Sequence, residues 1–573
     1  MSTGARIVTG PPPVVAGSAA WATLGACLLA VFMQMLDMTI VNTALPGIAR
    51  DLAAPGSVQV FVVAGYSLAF AGTLMTAARI GESIGRRRVF LSAMAGFTAA
   101  SVWCGLAHLP GELIAARAVQ GLAAAAMSAQ VIAIISAVFP KGEQALAFGL
   151  YGAAAGLAAI AGPLLGGAVI ASDPFGLGWR AVFLLNVPPC VLGLLLAHRH
   201  LQVGKPATRE RLDVAGALLV TCGLVALLYP LAAGREQRWP PSLFGLLGVG
   251  LALLAVFVWH QRRRLRSGES PLLRIDLFAD RGFAVGSVLT LLFFGIFTAF
   301  LFTVSVTVQS GLGFTALRTG ILVLPFAIGG ACGALASPIL VTRLGSRGLT
   351  LGVLLFAAAI AVVALTVHPA DASIDLRRLA VPVFAAGAGM GLFAAPLPAA
   401  MMTGVAERAT GSASGTVPTV QQIGSSLGVA ALGALFFRRV DADTDLGVGH
   451  AKAVLAASLT DSPTTTAQRD RVVTSFADCA DSALRSPTPR LDAHTCPGAG
   501  ADLAGQIAAA HTFLAACVTM LWVVAGTALA LGVLSLALPP RNGEPGATAP
   551  GEVGDTATAN NTTGHGPGKD APT

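Results

Sequence analysis

The sequence predicts an all-α integral membrane protein of fourteen spans, on three observations. Hydrophobic residues make up 55% of the chain and charged residues only 11%. Apolar runs of roughly 18 or more residues, each a candidate transmembrane helix, follow one another nearly end to end along its 573 residues. Glycine and proline lie inside those runs as well as between them. A soluble helix interior resists them at about 1 and 3 kcal/mol each, whereas packed membrane helices tolerate them.

Taken in order, the runs place spans near residues 20–45, 57–77, 89–108, 111–137, 145–171 and 180–199. Two more follow near 212–233 and 242–260. The last six lie near 283–309, 318–341, 348–368, 380–403, 411–437 and 509–537. The net charge of +8 then belongs to basic loops at one membrane face, not to nucleic-acid binding, for which no signature appears. Arg86, Arg87 and Arg88, the linker from Arg199 to Arg211, the run Arg262 to Arg266, and Arg343 with Arg347 fall on one side. That side is expected to be cytoplasmic, with both termini. Arg377, Arg378, Arg438 and Arg439 fall on the other and are exceptions. Residues 1–19 and 541–573, rich in small residues and proline, read as disordered cytoplasmic tails.

The fifth span carries the densest glycine pattern, GLYGAAAGLAAIAGPLLGG from Gly149 to Gly167. Gly152 with Gly156, and Gly162 with Gly166, make small-xxx-small faces that let two helix backbones touch, and Pro163 interrupts the run. Two readings stand: a plain packing seam, or a bent helix between two moving halves. The polar insert from Arg438 to Ala508 is expected to be an extracytoplasmic loop, with a short helix at AKAVLAASL. It holds Cys479 and Cys496, the two cysteines outside the spans, and a disulfide there suits an oxidising compartment. ARIGESIGRRRVF after span 2 and VTRLGSRGLT after span 10 echo each other, as expected of repeated halves in a secondary transporter.

Several stretches together resemble the major facilitator superfamily, in particular its fourteen-helix drug:proton antiporters of the EmrB/QacA type. LDMTIVNTALP (Leu36–Pro46) is similar to that group's first-helix signature, and RAVQG (Arg117–Gly121) to its fourth-helix motif. GPLLGG resembles the fifth-helix motif of exporters, WRAVFLLNVPP the entry to helix 6, and GSASGTVPTVQQIGSSLG helix 13. The loop after span 2 resembles the superfamily's gating loop, with Ala78 and Glu82 where the pattern has Gly and Asp. The resemblance spans roughly residues 20–540. It implies a six-helix bundle over 20–200, inserted helices 7 and 8 with their linkers over 201–282, and a second six-helix bundle over 283–540 that includes the 438–508 insert. It also implies a monomeric, multi-pass plasma-membrane antiporter without cofactor or metal, driven by the proton motive force and exporting small lipophilic or cationic compounds. The alternative reading is a dedicated exporter or importer of one metabolite. A membrane enzyme or receptor is opposed by the lack of a metal-spaced Cys/His set, a nucleotide-binding loop or a sizeable soluble domain.

Asp37 lies mid-span, where carboxylates are expensive and usually functional, so it is the first candidate for loading and releasing a proton. Arg117 in span 4 stays charged and needs a partner, for which Asp37 is one candidate. A static packing role is the alternative for both. Glu82, Gly85, Arg86, Arg87 and Arg88 would form the cytoplasmic gate, and the fifth-span glycines with Pro163 the antiporter-type helix. Gln34, Asn42, Tyr66, Gln130, Tyr151, Phe294, Phe297, Gln309, Gln421 and Gln422 are candidates to line a substrate cavity; each taken singly also suits interhelical hydrogen bonding. Asp213 reads as a helix N-cap and His260 as interfacial. Spans 9–14 hold no acid away from an interface, so coupling is expected to rest on the first half.

Overall fold

The computed structural model describes residues 17–202, 213–234, 237–269, 271–402, 404–405, 410–460, 465–486, 496 and 501–538. The predicted C-terminal tail, most of the N-terminal one and most of the 201–212 linker lie outside them. The first six spans are α1 (Ser18–Asp51), α2 (Gly56–Ile84), α3 (Arg86–Leu106), α4 (Pro110–Val138), α5 (Lys141–Ser172) and the broken pair α6 (Arg180–Leu184) and α7 (Val187–His200). Next come α8 (Val214–Ala233) and α9 (Pro241–Arg266). The last six are α10 (Arg281–Val306), α11 (Ala316–Leu344), α12 (Arg347–Thr366), α13 (Leu376–Ala394) continued by α14 (Leu397–Met402), α15 (Thr410–Ser458) and α17 (Ala501–Ser535), with α16 (Thr466–Leu484) between the last two. Among the described residues, thirteen spans are long and apolar enough to cross a membrane. The fourteenth, α5, has 32 residues and so rises about 48 Å.

Pairing sorts these helices into two groups. In the first, α1 packs on α5 and α7, and α4 on α2 and α3; in the second, α13 packs on α11 and α12, and α15 on α10 and α17. The groups meet along two seams, α2 with α15 and α5 with α11, while α8 and α9 pack on each other and α8 also touches α2 and α15. Small residues explain the second seam. A Cβ on Gly167 of α5 would strike the backbone of Ala316 and Leu317, and one on Gly320 of α11 would strike Pro163 and Leu164. Gly162 and Gly166 fit against Thr39, Ile40 and Thr43 of α1. One helix thus uses one glycine set for its own group and another for the opposite group. Gly152 and Gly156 lie in the earlier half of α5.

The 438–508 stretch corrects the expectation of a loop with a separate short helix. Span 13 does not stop near residue 437; α15 runs on for 49 residues in all, about 74 Å, and absorbs all but the last residue of AKAVLAASL. The extension has a helix-spaced apolar face, Val440, Val448, Ala451 and Leu455, all buried and packed in one cluster with Val473, Phe476, Ala480 and Leu484 of α16. Arg485 ties the two helices together, bonding Asp481 at 2.7 Å and Asp445 at 2.5 Å. Cys479 and Cys496 are joined by a disulfide with Cα atoms 5.9 Å apart.

Candidate functional site

The first helix group is built around a buried polar knot. Asp37 of α1 is fully buried, and its Oδ2 accepts from Arg117 Nη1 of α4 at 2.5 Å. Its Oδ1 accepts from Gln120 Nε2 and from Asn186 Nδ2, each at 2.9 Å. Ser101 Oγ of α3 accepts from the same two amides at 2.6 and 3.0 Å. Asn186 stands at the break between α6 and α7, just ahead of Pro188 and Pro189. Three spans and the α6–α7 break therefore meet around one carboxylate.

Arg117 has other holds as well. Its Nη1 donates to Gln120 Oε1 at 2.7 Å and its Nε to the Val62 carbonyl of α2 at 3.2 Å. The guanidinium lies 4.4 Å from the centre of the Tyr66 ring and 5.7 Å from that of Phe183. A buried cation needs such compensation, because losing its single partner strands a charge at a cost of about 3–5 kcal/mol. Here the aromatic faces and two neutral acceptors would still hold Arg117 if Asp37 became neutral.

Sequence reasoning singled out Asp37 and Arg117, and the fold brings them together. It missed Ser101, Gln120 and Asn186 as members of the site. Two of these stand inside quoted motifs, RAVQG and WRAVFLLNVPP, as polar side chains in otherwise apolar runs; that was the available signal.

The cavity candidates do not form one set. Asn42, Gln309 and Gln422 lie at or beside the junction of the two groups, as described below, and Gln34 is one turn before Met38 on α1. Tyr66 belongs to the Arg117 knot. Gln130 instead locks α4 to α2, donating to the Ala77 carbonyl at 2.9 Å and pressing on Gly81. Tyr151 packs with Cys27, Phe90 and Met94 in a separate first-group cluster. Phe294 and Phe297 join an aromatic chain with Phe293 and Phe326 in the second group. Gln421 is half-buried on α15.

At the α2–α3 turn Gly85 adopts φ +106°, which favours glycine, and caps α2 through its N–H to the Gly81 carbonyl. Arg86 donates to the Ala133 carbonyl near the end of α4 at 3.0 Å, and Arg87 to the His198 carbonyl near the end of α7 at 2.8 Å. Both meet the negative end of a helix dipole. Arg88 is exposed, and the Glu82 side chain lies outside the described residues.

Asp213 does cap α8, accepting from Gly216 N–H at 2.9 Å, but it also gathers α9: His260 Nε2 lies at 2.9 Å and Gln261 Nε2 at 2.7 Å. His260 is therefore more than an interfacial residue. Burial pushes the Asp213 carboxyl up, and the bonds from His260, Gln261 and Gly216, with Arg264 nearby, outweigh it, so the group is held below the usual carboxylate range.

Contacts between the groups gather toward the membrane face that carries the α1–α2 and α10–α11 turns. Ser305 Oγ of α10 donates to the Asn42 carbonyl at 2.5 Å, Ser426 Oγ of α15 to the Ala64 carbonyl at 3.4 Å, and Gln422 Nε2 to Met38 Sδ at 3.4 Å. Gly56 and Val60 of α2 pack on Phe437 and Gly433, close to the same face.

Two helix groups meeting along glycine seams, one of them holding a buried charge pair, have the layout of a secondary transporter. Residues 27–429 match the family model described as the Major Facilitator Superfamily, and the chain belongs to that family. It is 35% identical over 550 residues, 93% of either chain, to a probable actinorhodin transporter of Streptomyces coelicolor. It is also 35% identical over 419 residues, 72% of this chain and 81% of the other, to a puromycin resistance protein of Streptomyces alboniger. A multidrug resistance protein of Mycobacterium tuberculosis is 33% identical over 72% of this chain and 75% of its own. Among solved structures, a bacterial homologue of the lysosomal transporter Spinster shares the fold with a TM-score of 0.55 at 15% identity, covering 92% of this chain and 98% of that one.

Proposed function

We propose that the protein exports small lipophilic or cationic compounds in exchange for protons, by alternating access between its two helix groups. The observation that carries this reading is the buried Asp37–Arg117 pair, in a family member whose relatives bear export and resistance names. A proton arriving on Asp37 neutralises the carboxylate, and Arg117 then rests on Gln120, Val62 and Tyr66. That exchange of partners relaxes the tie between α1 and α4 and is the step coupled to rocking of the groups. The α2–α3 turn, with Glu82 and Arg86 to Arg88, acts as the gate on the cytoplasmic side of the cell membrane, and α5 slides on α11 through Gly167 and Gly320. The chain works as a monomer without cofactor. For a neutral substrate, one proton crossing 100 mV releases about 2.3 kcal/mol, enough for roughly fortyfold accumulation at about 1.4 kcal/mol per decade; one-for-one exchange with a singly charged cation moves no net charge and draws on the pH gradient alone.

A dedicated exporter of one metabolite is the second reading, favoured because the relative matched over 93% of the chain is named for a single compound. Purified protein in proteoliposomes tests the first reading. An imposed pH gradient should drive accumulation of several unrelated lipophilic cations, each with release of protons; movement of none of them, beside transport of one metabolite, would favour the second.

A further inference from the structure

Gln34, Met38 and Asn42 follow one another at intervals of four along α1, which sets them within about 80° of arc on one helix face. That face meets the opposite helix group: Met38 receives the Gln422 amide, and the Asn42 carbonyl receives Ser305, which also accepts from Gln309 Nε2 at 3.0 Å. Three of the four amide side chains here are almost wholly buried, at 1% exposure for Gln34, 6% for Asn42 and 5% for Gln422. Their oxygens share one property. Gln34 Oε1, Asn42 Oδ1 and Gln422 Oε1 are all buried without a hydrogen-bond donor.

The orientation of two of these amides is fixed by their nitrogens. Asn42 Nδ2 turns back onto its own helix, donating to the Met38 and Thr39 carbonyls at 3.4 and 3.3 Å. Gln422 Nε2 is directed at Met38 Sδ. The oxygens are then the ends left over. A buried acceptor without a donor costs about 1–3 kcal/mol, and native proteins rarely leave several together. No charged side chain takes part in any of these contacts, so the patch neither attracts nor neutralises an anion.

We propose that this patch is the donor-reading part of the substrate site: it takes neutral or cationic molecules that bring N–H or O–H groups and discriminates against analogues with those hydrogens replaced. The inference rests on the export reading above and adds the chemistry of what is recognised. A molecule seated at the junction satisfies acceptors from both helix groups at once, Gln34 and Asn42 from one and Gln422 from the other.

Two fluorescent dyes of equal charge and the same xanthene ester skeleton test it. Rhodamine 123 carries N–H donors on both amino nitrogens; tetramethylrhodamine methyl ester carries none. With full-length protein in lipid nanodiscs, fluorescence anisotropy should show rhodamine 123 bound about tenfold more tightly, the worth of roughly one well-made hydrogen bond to a buried acceptor. Asn42→Leu and Gln422→Met should each reduce that ratio toward one by weakening the binding of rhodamine 123, with the thermal unfolding of each purified variant showing that it is folded. Equal binding of the two dyes by the wild type, or a ratio unchanged in both variants, overturns the inference alone. Binding of neither dye, with no pH-driven transport of any lipophilic cation, overturns the export reading and the inference together.

Discussion

The two helix groups share an architecture but not an interior. At the centre of the first, a carboxylate, a guanidinium, two amides and a hydroxyl are knotted together without exposure to solvent. The matching depth of the second is aromatic: Phe293 lies 4.6 Å from Phe393 and 5.6 Å from Phe356 between ring centres, all three fully buried. The hydroxyl pair of Thr298 with Ser425 lies near it, and another, Thr350 with Ser535, joins the start of α12 to the end of α17. A charge pair has two protonation states and can change partners, whereas a packed aromatic cluster has one arrangement. The contrast teaches where the proposed exchange mechanism has to divide its work: the group with the charge pair is the one able to change state, and the group with the aromatic cluster offers a rigid body to move against.

The largest effect is expected from stranding a charge. Arg117→Gln leaves Asp37 buried without its cation and should lower unfolding stability in detergent by about 3–5 kcal/mol. Adding Asp37→Asn should recover much of that loss, because the pair then becomes neutral at both ends; strictly additive losses would break the contrast. Phe293→Ala should cost a similar or slightly smaller amount, about 3–5 kcal/mol, with no rescue from Asp37→Asn, since the two sites share no partners.

Reducing or replacing the Cys479–Cys496 bridge sits next in size. It closes a 17-residue separation, for which chain entropy gives about 3 kcal/mol. The loss should appear as faster proteolysis of the α15–α16 extension with the membrane helices intact. Smallest is Asp213→Ala, which removes an N-cap worth about 1 kcal/mol and the anchor of His260 and Gln261. Because its folded carboxyl is held low, the contribution of Asp213 is complete above the ordinary carboxylate range near pH 4 and is lost as pH falls below it. Thermal stability of wild type and Asp213→Ala should therefore converge in acid; a gap that widens in acid would reverse the sign.

How much of this was legible in the sequence follows from the physics of each part. The spans were readable because apolar length is a local property, and Asp37 and Arg117 because a charge in an apolar run stands alone. Their pairing, between positions 80 apart, and the addition of Asn186 from 149 residues away are products of the fold. Gln120 and Asn186 were visible as residues and invisible as partners. The α15 extension was misread because hydropathy drops after Phe437, while the spacing of Val440, Val448, Ala451 and Leu455 stays helical. Amphipathic continuation, not hydropathy, was the informative signal there. The glycines of α5 could be read as a seam; that Gly167 serves α11 and Gly162 serves α1 required the three-dimensional arrangement.

The central claim is that Asp37 carries the coupling proton, and one comparison tests it most directly. In proteoliposomes, wild type and Asp37→Asn are measured both for substrate exchange at equal concentrations without a gradient and for accumulation driven by a pH gradient. The account predicts that the variant keeps exchange and loses accumulation, with Asp37→Glu restoring part of it. Accumulation by Asp37→Asn equal to that of the wild type would contradict the account and return Asp37 to a packing role.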